Sequence, residues 1–165
     1  PFAFSYPLMK RYTYWPQLFL GFTFNYGLIM AWFSINPQFS YIPLILYFGA
    51  IFWTLAYDTI YGFQDIKDDE IIGVKSTSIK FKKNPKLLIF LCYLIFISLQ
   101  ILSGIFMEFD YYYFIGTLII ALHLYFFQVM GLDISNPKSC LKSFKSNNLL
   151  GFLVFANILI NKINL

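Results

Sequence analysis

YIPLILYFGAIFWTLAY, residues 41–57, is followed directly by DTIYGFQDIKDDEIIGVKSTS, residues 58–78. The first stretch is almost entirely apolar and, with its flanking residues, is long enough to cross a bilayer as a helix. The second contains five of the eight acidic residues, all within thirteen positions. Because a carboxylate at membrane depth costs at least ~2.5 kcal/mol, acids beside a spanning segment indicate a functional site. The junction predicts a membrane protein with an acidic site at one surface.

The whole chain has the composition of an integral membrane protein. Hydrophobic residues make up 59% of its 165 residues and charged residues only 12%, which excludes an ordinary soluble domain. Apolar runs of about 20 residues, the length that crosses ~30 Å of hydrocarbon, lie at Trp15–Ile35, Tyr41–Phe63, Lys86–Met107, Tyr112–Gly131 and Leu149–Asn164. No run alternates like a strand, and an open sheet edge cannot face lipid. We therefore predict an all-α fold, a polytopic membrane helical bundle of about five transmembrane helices.

Residues 1–165 are expected to form a single transmembrane helical domain, with residues 1–8 as the tail of a preceding helix and an acidic active-site segment at 57–78. The basic residues, followed from the N-terminal segment through the successive loops, number 2, 0, 6, 0, 3 and 1. By the positive-inside rule this alternation places the acidic segment on the cytoplasmic side. The bilayer is the expected environment, and no nucleic-acid partner is indicated.

The spacing of the acidic residues favours a metal site. If the second span continues as a helix, Asp58, Asp65 and Asp69 fall at i, i+7 and i+11, within about 20° of one line, whereas Asp68 points about 80° away. Three carboxylates in a row repel one another unless a cation holds them. Oxygen ligands without nearby His or Cys suit Mg²⁺, which bridges to substrate phosphates. The alternative is a solvated helix end with ordinary surface acids.

The turn Gly73–Ser78 follows the acidic residues. Its backbone N–H groups, the Lys75 ammonium and its hydroxyls predict a cradle for a phosphate chain, although such a turn also commonly caps a helix. Polar residues inside the spans are expected to join helices, with Asn25 or Gln128 as alternatives that line a cavity. They are Asn25, Gln100, Gln128 and Asn157.

The same residues resemble the second aspartate-rich motif of UbiA-type intramembrane prenyltransferases. The matching string runs from Tyr57-Asp58-Thr59-Ile60-Tyr61 through Asp65, Asp68-Asp69 and Gly73-Val74-Lys75-Ser76-Thr77. Residues 6–17 are similar to the segment that links that family's fourth and fifth helices, and residues 140–151 to its last loop and helix. The likeness spans essentially the whole chain and is closest in the branch that prenylates 4-hydroxybenzoate.

The resemblance implies the C-terminal part of a nine-helix fold. The family's first motif, NDxxDxxxD, is not found in these 165 residues, so the chain is expected to be part of a longer protein or to need the missing N-terminal half as a partner. The implied location is a bacterial inner membrane, or a mitochondrial inner membrane, with the site facing the cytoplasm or matrix.

The resemblance also implies an enzyme. It would transfer a polyprenyl group from polyprenyl diphosphate to the ring of 4-hydroxybenzoate, in ubiquinone biosynthesis, with Mg²⁺. The implied catalytic residues are Asp58, Asp65, Tyr57 and Tyr61, the tyrosines by hydrogen bonding or by shielding a cation. The implied metal or diphosphate ligands are Asp58, Asp65 and Asp69, with Asp68 weaker. The implied substrate-binding residues, on the diphosphate or on the acceptor's carboxylate, are Lys10, Arg11 and Lys75.

Other functions stay open from sequence alone. The acceptor could be another quinone precursor, chlorophyllide, haem or a glycerol phospholipid, and a half-protein without activity is a further alternative. A cation channel or carrier is disfavoured because the acids cluster at one membrane face instead of the midplane. The DGxxAR pattern of phosphatidyl-alcohol transferases is absent from the sequence.

Overall fold

A computed structural model describes residues 8–163, and within that range every regular element is helical. The elements are α1 Pro16–Phe24, α2 Tyr26–Ile35, α3 Ile42–Gly62, α4 Ile66–Ile72, α5 Thr77–Lys80, α6 Pro85–Phe106, α7 Tyr111–His123, a π-helix Leu124–Met130, α8 Pro137–Lys145 and α9 Asn147–Ile163. The prediction of an all-α bundle is confirmed. The predicted tail of a preceding helix falls outside the described residues except for Leu8, which begins a short helical stretch over residues 8–12.

Within residues 8–163, five stretches are long and apolar enough to cross a membrane, as predicted: Pro16–Ile35, Ile42–Gly62, Pro85–Phe106, Tyr111–Met130 and Pro137–Ile163. The first four agree with the predicted spans to within one residue at each end. The fifth begins twelve residues earlier than predicted because Pro137–Lys145, expected to be a loop, forms α8. Proline in the first turn of several helices explains the sharp starts, since its fixed φ suits that position and its missing N–H is not needed there.

Helices α3 and α6 form the centre of the bundle. Their facing side chains are buried, including Leu55 and Ala56 of α3 and Ile89 and Phe96 of α6. Gly49 lies in this contact, where a Cβ would meet the Leu99 side chain at the ordinary van der Waals distance of 3.4 Å. Many phenylalanine, leucine and isoleucine side chains on the outer faces are exposed, which fits a surface that faces lipid.

Polar side chains join the outer helices to this centre. At the break between α1 and α2, the Asn25 Nδ2 donates to the Thr54 hydroxyl of α3 at 2.9 Å. The Tyr113 hydroxyl of α7 donates to the Gln100 Oε1 of α6 at 3.0 Å, and the Asn157 Nδ2 of α9 donates to the Tyr113 carbonyl at 3.1 Å. These bonds confirm the predicted role of three of the intramembrane polar residues in joining helices, and a hydrogen bond replaces the contact with water that each group loses.

Candidate functional site

The acidic segment does not continue the second span as one helix. Helix α3 ends at Gly62, the Phe63 and Gln64 N–H groups turn back to the carbonyls of Ile60 and Tyr61, and α4 begins at Ile66. The prediction that Asp58, Asp65 and Asp69 form one line on a continuous helix is therefore wrong. The physical reason is the turn at residues 63–64, which changes the direction of the chain before the second acid.

The carboxylates are consequently distributed over two helices and the turn between them. Asp58 is half-buried in the last turns of α3, and the positive charge of Lys10 attracts it. Asp65 immediately precedes α4 and is exposed, as is Asp68, whereas Asp69 is half-buried. Within residues 8–163, no three His, Cys, Asp or Glu side chains lie close enough together to hold a metal ion. The donors are hard carboxylate oxygens of the kind that Mg²⁺ prefers, but the described residues do not gather them into a complete site.

A cavity of about 440 Å³ borders the acidic segment. Asp65 and Asp68 line one side, and Lys82 and Ser135 lie among the other lining residues; Asp58 does not border it. Lys82 also pairs with Glu70, 2.8 Å from its Oε1, so this ammonium is already partly neutralised. Asp65 and Asp68 thus share a solvent-connected space with a cation, while Asp58 occupies a separate and more buried position.

The residues predicted to bind substrate lie on segments that are paired by their backbones. The Lys75 N–H donates to the Lys10 carbonyl at 2.7 Å, and the Lys75 Nζ donates to the Tyr12 carbonyl at 3.4 Å. The same ammonium lies 5.7 Å from the centre of the Tyr14 ring, within the range of a cation–π contact. Lys10 and Lys75 are therefore neighbours at the end of the bundle where Asp58 lies, with Arg11 exposed on the same turn as Lys10.

The hydroxyls of the turn Gly73–Ser78, which were predicted to contribute to a phosphate cradle, have partners inside the protein. The Ser76 hydroxyl caps α5 by accepting from the Ile79 N–H at 3.2 Å. The Thr77 N–H donates to the Gln17 Oε1 at 3.1 Å. All three hydroxyl residues, Ser76, Thr77 and Ser78, are at most 1% exposed. These hydroxyls are used inside the protein, whereas the half-buried Lys75 stays a predicted phosphate ligand.

This turn instead forms a buried joint between three parts of the chain. The Thr59 and Thr77 hydroxyl oxygens are 2.6 Å apart, and the Ser78 hydroxyl donates to the Thr59 carbonyl at 2.8 Å. With the Gln17 bond, the joint links α1, α3 and α5 directly beside Asp58. Sequence analysis missed Gln17 and Thr59; a glutamine one residue into an apolar span and a threonine next to the intramembrane aspartate were the available signals.

An aromatic cluster lies along the face of α3 beside Asp58. The Phe144 ring of α8 lies 5.8 Å from the Tyr57 ring and 4.8 Å from the Tyr61 ring, between centroids. The Trp53 ring contacts Tyr57 edge-on at 5.9 Å and stacks on Phe96 of α6 at 5.4 Å. Such π faces stabilise a nearby cation. Trp53 and Phe144 join the predicted tyrosines here, and only the folded structure reveals them.

A buried hydrogen-bond network holds this cluster in place. Gln128, fully buried in the π-helix, accepts from the Tyr93 hydroxyl and donates to the Asn147 Oδ1 and the Ser146 Oγ, both at 3.1 Å. The Trp53 Nε1 donates to the same Asn147 oxygen at 2.8 Å. The network connects α3, α6, the π-helix and the junction of α8 and α9. Gln128 therefore joins helices, as expected, and π-helical turns of this kind occur frequently at functional sites.

Loop residue Asp133 lies near the acidic cavity. The Ser135 hydroxyl and N–H donate to one Asp133 carboxylate oxygen at 2.6 and 2.9 Å. These bonds, the hydroxyl first, hold the pKa of Asp133 below its ordinary value of 3.8. Asp133 is therefore an ionised carboxylate throughout the neutral range and belongs to the turn that leads into α8.

The fold and the site define a class of protein: an integral membrane bundle with a half-buried carboxylate, neighbouring lysines and a set of aromatic rings at one end. Charged groups beside a long apolar interior suit a substrate with an anionic head and a hydrocarbon tail. The chain belongs to the UbiA prenyltransferase family, whose family description matches residues 1–157. No solved structure matches it.

Curated relatives agree with the family. The chain is 39% identical over 167 residues to "4-hydroxybenzoate polyprenyltransferase, mitochondrial" of Homo sapiens, covering 96% of this chain and 43% of that protein. It is 37% identical to the protein of the same name from Dictyostelium discoideum, covering 99% of this chain and 35% of that one. A "4-hydroxybenzoate octaprenyltransferase" of Marinobacter nauticus is 36% identical, with 94% and 53% covered. The chain thus spans about a third to a half of the length of these relatives.

Proposed function

We propose that this chain supplies part of the active site of a membrane enzyme that transfers a polyprenyl group from polyprenyl diphosphate to the ring of 4-hydroxybenzoate. The observation that carries the proposal is the position of Asp58. Asp58 lies half-buried at the end of a spanning helix, and the positive charge of Lys10 attracts it. Tyr57 and Tyr61 flank it in the sequence, and both contact the Phe144 ring. The names of the relatives support the choice of acceptor over other quinone precursors.

The charged groups would bind the diphosphate of the donor. Lys10 and Lys75, which are paired through their backbones, and the exposed Arg11 would offset its negative charge or hold the carboxylate of the acceptor. The allylic C–O bond breaks, and its electron pair leaves with the diphosphate. Preorganised cations at this position stabilise the charge that develops on the leaving group.

The aromatic cluster would stabilise the other product of that bond cleavage. The faces of Tyr57, Tyr61 and Phe144 provide π density for the allylic cation, and they exclude water that would otherwise capture it. The electron-rich ring of the acceptor forms the new C–C bond, and a proton then leaves the substituted ring carbon. The tyrosines would therefore act on the cation, while the aspartates act at the diphosphate.

The donor chemistry of the aspartates fits Mg²⁺, since it consists of hard carboxylate oxygens. Asp58, Asp65 and Asp69 would each contribute carboxylate ligands to bound Mg²⁺, with Asp68 as a weaker candidate. Because Asp58 lies apart from Asp65 and Asp68, ligands from outside the described residues would have to complete the coordination. When bound, Mg²⁺ would supply positive charge to the leaving diphosphate. The further ligands would come from the first aspartate-rich motif that the resemblance leads us to expect in a missing N-terminal half.

The positive-inside pattern supports a site that faces the cytoplasm or the mitochondrial matrix, in a bacterial or mitochondrial inner membrane. In this orientation a soluble aromatic acid reaches the charged end of the bundle from water, while the polyprenyl chain lies in the bilayer.

A prenyl-transfer assay tests the proposal. Membranes that contain the protein with its N-terminal half would receive labelled 4-hydroxybenzoate, a polyprenyl diphosphate and Mg²⁺. We expect lipid-soluble labelled product, its loss with EDTA, and a decrease of at least about a hundredfold in Asp58→Asn and Asp65→Asn. Asp133→Asn, the same change at an exposed loop carboxylate, is the matched control and should retain activity. Absence of product across several donor lengths would reject this acceptor, and activity without the N-terminal half would reject the need for it.

A further inference from the structure

A second cavity, of about 230 Å³, lies between the π-helix and α8. One part of its wall is apolar and the other is polar. The lining residues are Phe126, Phe127, Gly131, Ser139, Lys142, Ser143 and Ser146. Neither the aspartates nor the aromatic cluster of the candidate active site borders this cavity, so the proposed prenyl transfer does not account for it.

The cavity lies on the opposite face of α8 from the active-site cluster. Ser139, Lys142, Ser143 and Ser146 have the spacing i, i+3, i+4 and i+7, which places them along one side of a helix. Phe144, which contacts Tyr57 and Tyr61, is rotated from the middle of that side by about 150° at 3.6 residues per turn. A molecule in the cavity would therefore contact α8 from outside the site.

Ser143 provides the observation that points to a ligand. Its side chain lines the cavity although the residue is only 7% exposed. Its carbonyl accepts from the Ser146 hydroxyl at 2.7 Å and from the Asn147 Nδ2 at 3.3 Å. Its own hydroxyl makes no hydrogen bond to any other group in residues 8–163. Because the Ser143 hydroxyl oxygen is not itself fully enclosed, an acceptor atom inside the cavity can reach it and accept its hydrogen bond.

Charge and apolar surface identify the chemistry of that acceptor. The Lys142 side chain contributes a positive charge to the wall, Lys138 and Lys145 lie on the same helix, and α8 contains no acidic residue. The Phe126 and Phe127 side chains, which form the apolar part of the wall, are 59% and 60% exposed. A small inorganic anion would use only the polar wall. A phospholipid uses both, because its phosphate accepts hydrogen bonds while its chains cover the phenylalanines.

We propose that this cavity binds the headgroup phosphate of an anionic phospholipid, with Ser143 and Lys142 as donors and the acyl chains along Phe126 and Phe127. The bound lipid bridges the π-helix and α8. These two elements also carry Gln128 and Phe144, so the lipid would fix the outer side of the helices that support the aromatic cluster. Its binding is independent of prenyl transfer and is measured without it.

Native mass spectrometry of the full protein extracted from its membrane tests the proposal. The probe is phosphatidylglycerol, titrated against phosphatidylcholine at the same concentration. We expect preferential retention of phosphatidylglycerol, and a loss of affinity of about tenfold or more in Ser143→Ala, since a hydrogen bond to a charged acceptor is removed. Lys142→Gln should lose at least about fivefold. Lys138→Gln removes the same charge from the same helix without touching the cavity and should lose much less.

Several results would overturn the proposal. Equal losses in Lys142→Gln and Lys138→Gln, with none in Ser143→Ala, would mean that lipid is attracted only by the general charge of α8. Displacement of the signal by inorganic phosphate at millimolar concentration would mean that the cavity takes a free anion. If Ser143→Ala changes the unfolding transition, Ser139→Ala, at a half-buried position on the same wall, provides the second variant and must weaken binding in the same direction.

Discussion

Replacement of Gln128 by leucine is expected to destabilise the bundle by about 2–4 kcal/mol, and the structure gives each contribution. Interhelical hydrogen bonds in membrane proteins contribute about 0.6 kcal/mol each, and Gln128 donates two of them, to Ser146 and Asn147. The change also leaves the Tyr93 hydroxyl without its acceptor in a residue that is 3% exposed. An unsatisfied buried hydroxyl costs about 1–3 kcal/mol. Leucine has nearly the volume of glutamine, so little is added for a cavity.

The assay is reversible unfolding in mixed micelles by titration with dodecyl sulfate, followed by tryptophan fluorescence. The matched control is Gln38→Leu, the same change at an exposed loop position, which should leave the transition unchanged. A double-mutant cycle with Tyr93→Phe isolates the stranded hydroxyl, because the double variant has none. We expect the double variant to lose at least about 1 kcal/mol less unfolding free energy than the sum of the losses in the two single variants. Additive costs, or a cost below about 0.5 kcal/mol for Gln128→Leu, would refute the reasoning.

Two further predictions follow from local geometry. Gly104→Ala should destabilise the bundle by about 1–3 kcal/mol in the same unfolding assay, because a Cβ there would overlap the Tyr113 ring, whereas Gly27→Ala, whose Cβ meets nothing within 4 Å, should not destabilise it. Ser135→Ala should raise the pKa of Asp133 towards its ordinary value of 3.8, measured by carboxyl ¹³C NMR titration. Because the folded-state pKa is depressed, the stabilisation from this carboxylate is present above the unfolded pKa and is lost as pH falls through the folded one. An unchanged Asp133 titration would show that the Ser135 hydroxyl does not control it.

The sequence predicts the membrane spans well because hydropathy over about 20 residues is a property of the chain alone. It also identifies the end of the second span as the acidic end of the bundle. The course of the chain after Gly62 cannot be predicted in this way. The alignment of Asp58 with Asp65 depended on an unbroken helix, and the turn at residues 63–64 is a local choice that hydropathy does not determine.

The roles of the turn hydroxyls depend on distant partners and were equally inaccessible. Gln17, whose oxygen accepts from the Thr77 N–H, is sixty residues away in the chain. A local reading of the turn finds groups that look available for a phosphate, and only the tertiary structure shows that they are already bonded. The helix over Pro137–Lys145 was missed for a related reason, since its serines and lysines lower the hydropathy of a segment that still forms a helix leading into the last span.

The bond between Gln17 and Thr77 also has a consequence for the order in which the protein is made. Gln17 leaves the ribosome sixty residues before its partner, which corresponds to roughly 3–12 s at a synthesis rate of about 5–20 residues per second. During that interval the span Pro16–Ile35 emerges without the group that completes its joint. Helix α1 therefore makes its bond to Thr77 only after α3, α4 and the start of α5 have emerged. Biosynthesis thus passes through a stage in which α1 is not yet fixed to the rest of the bundle.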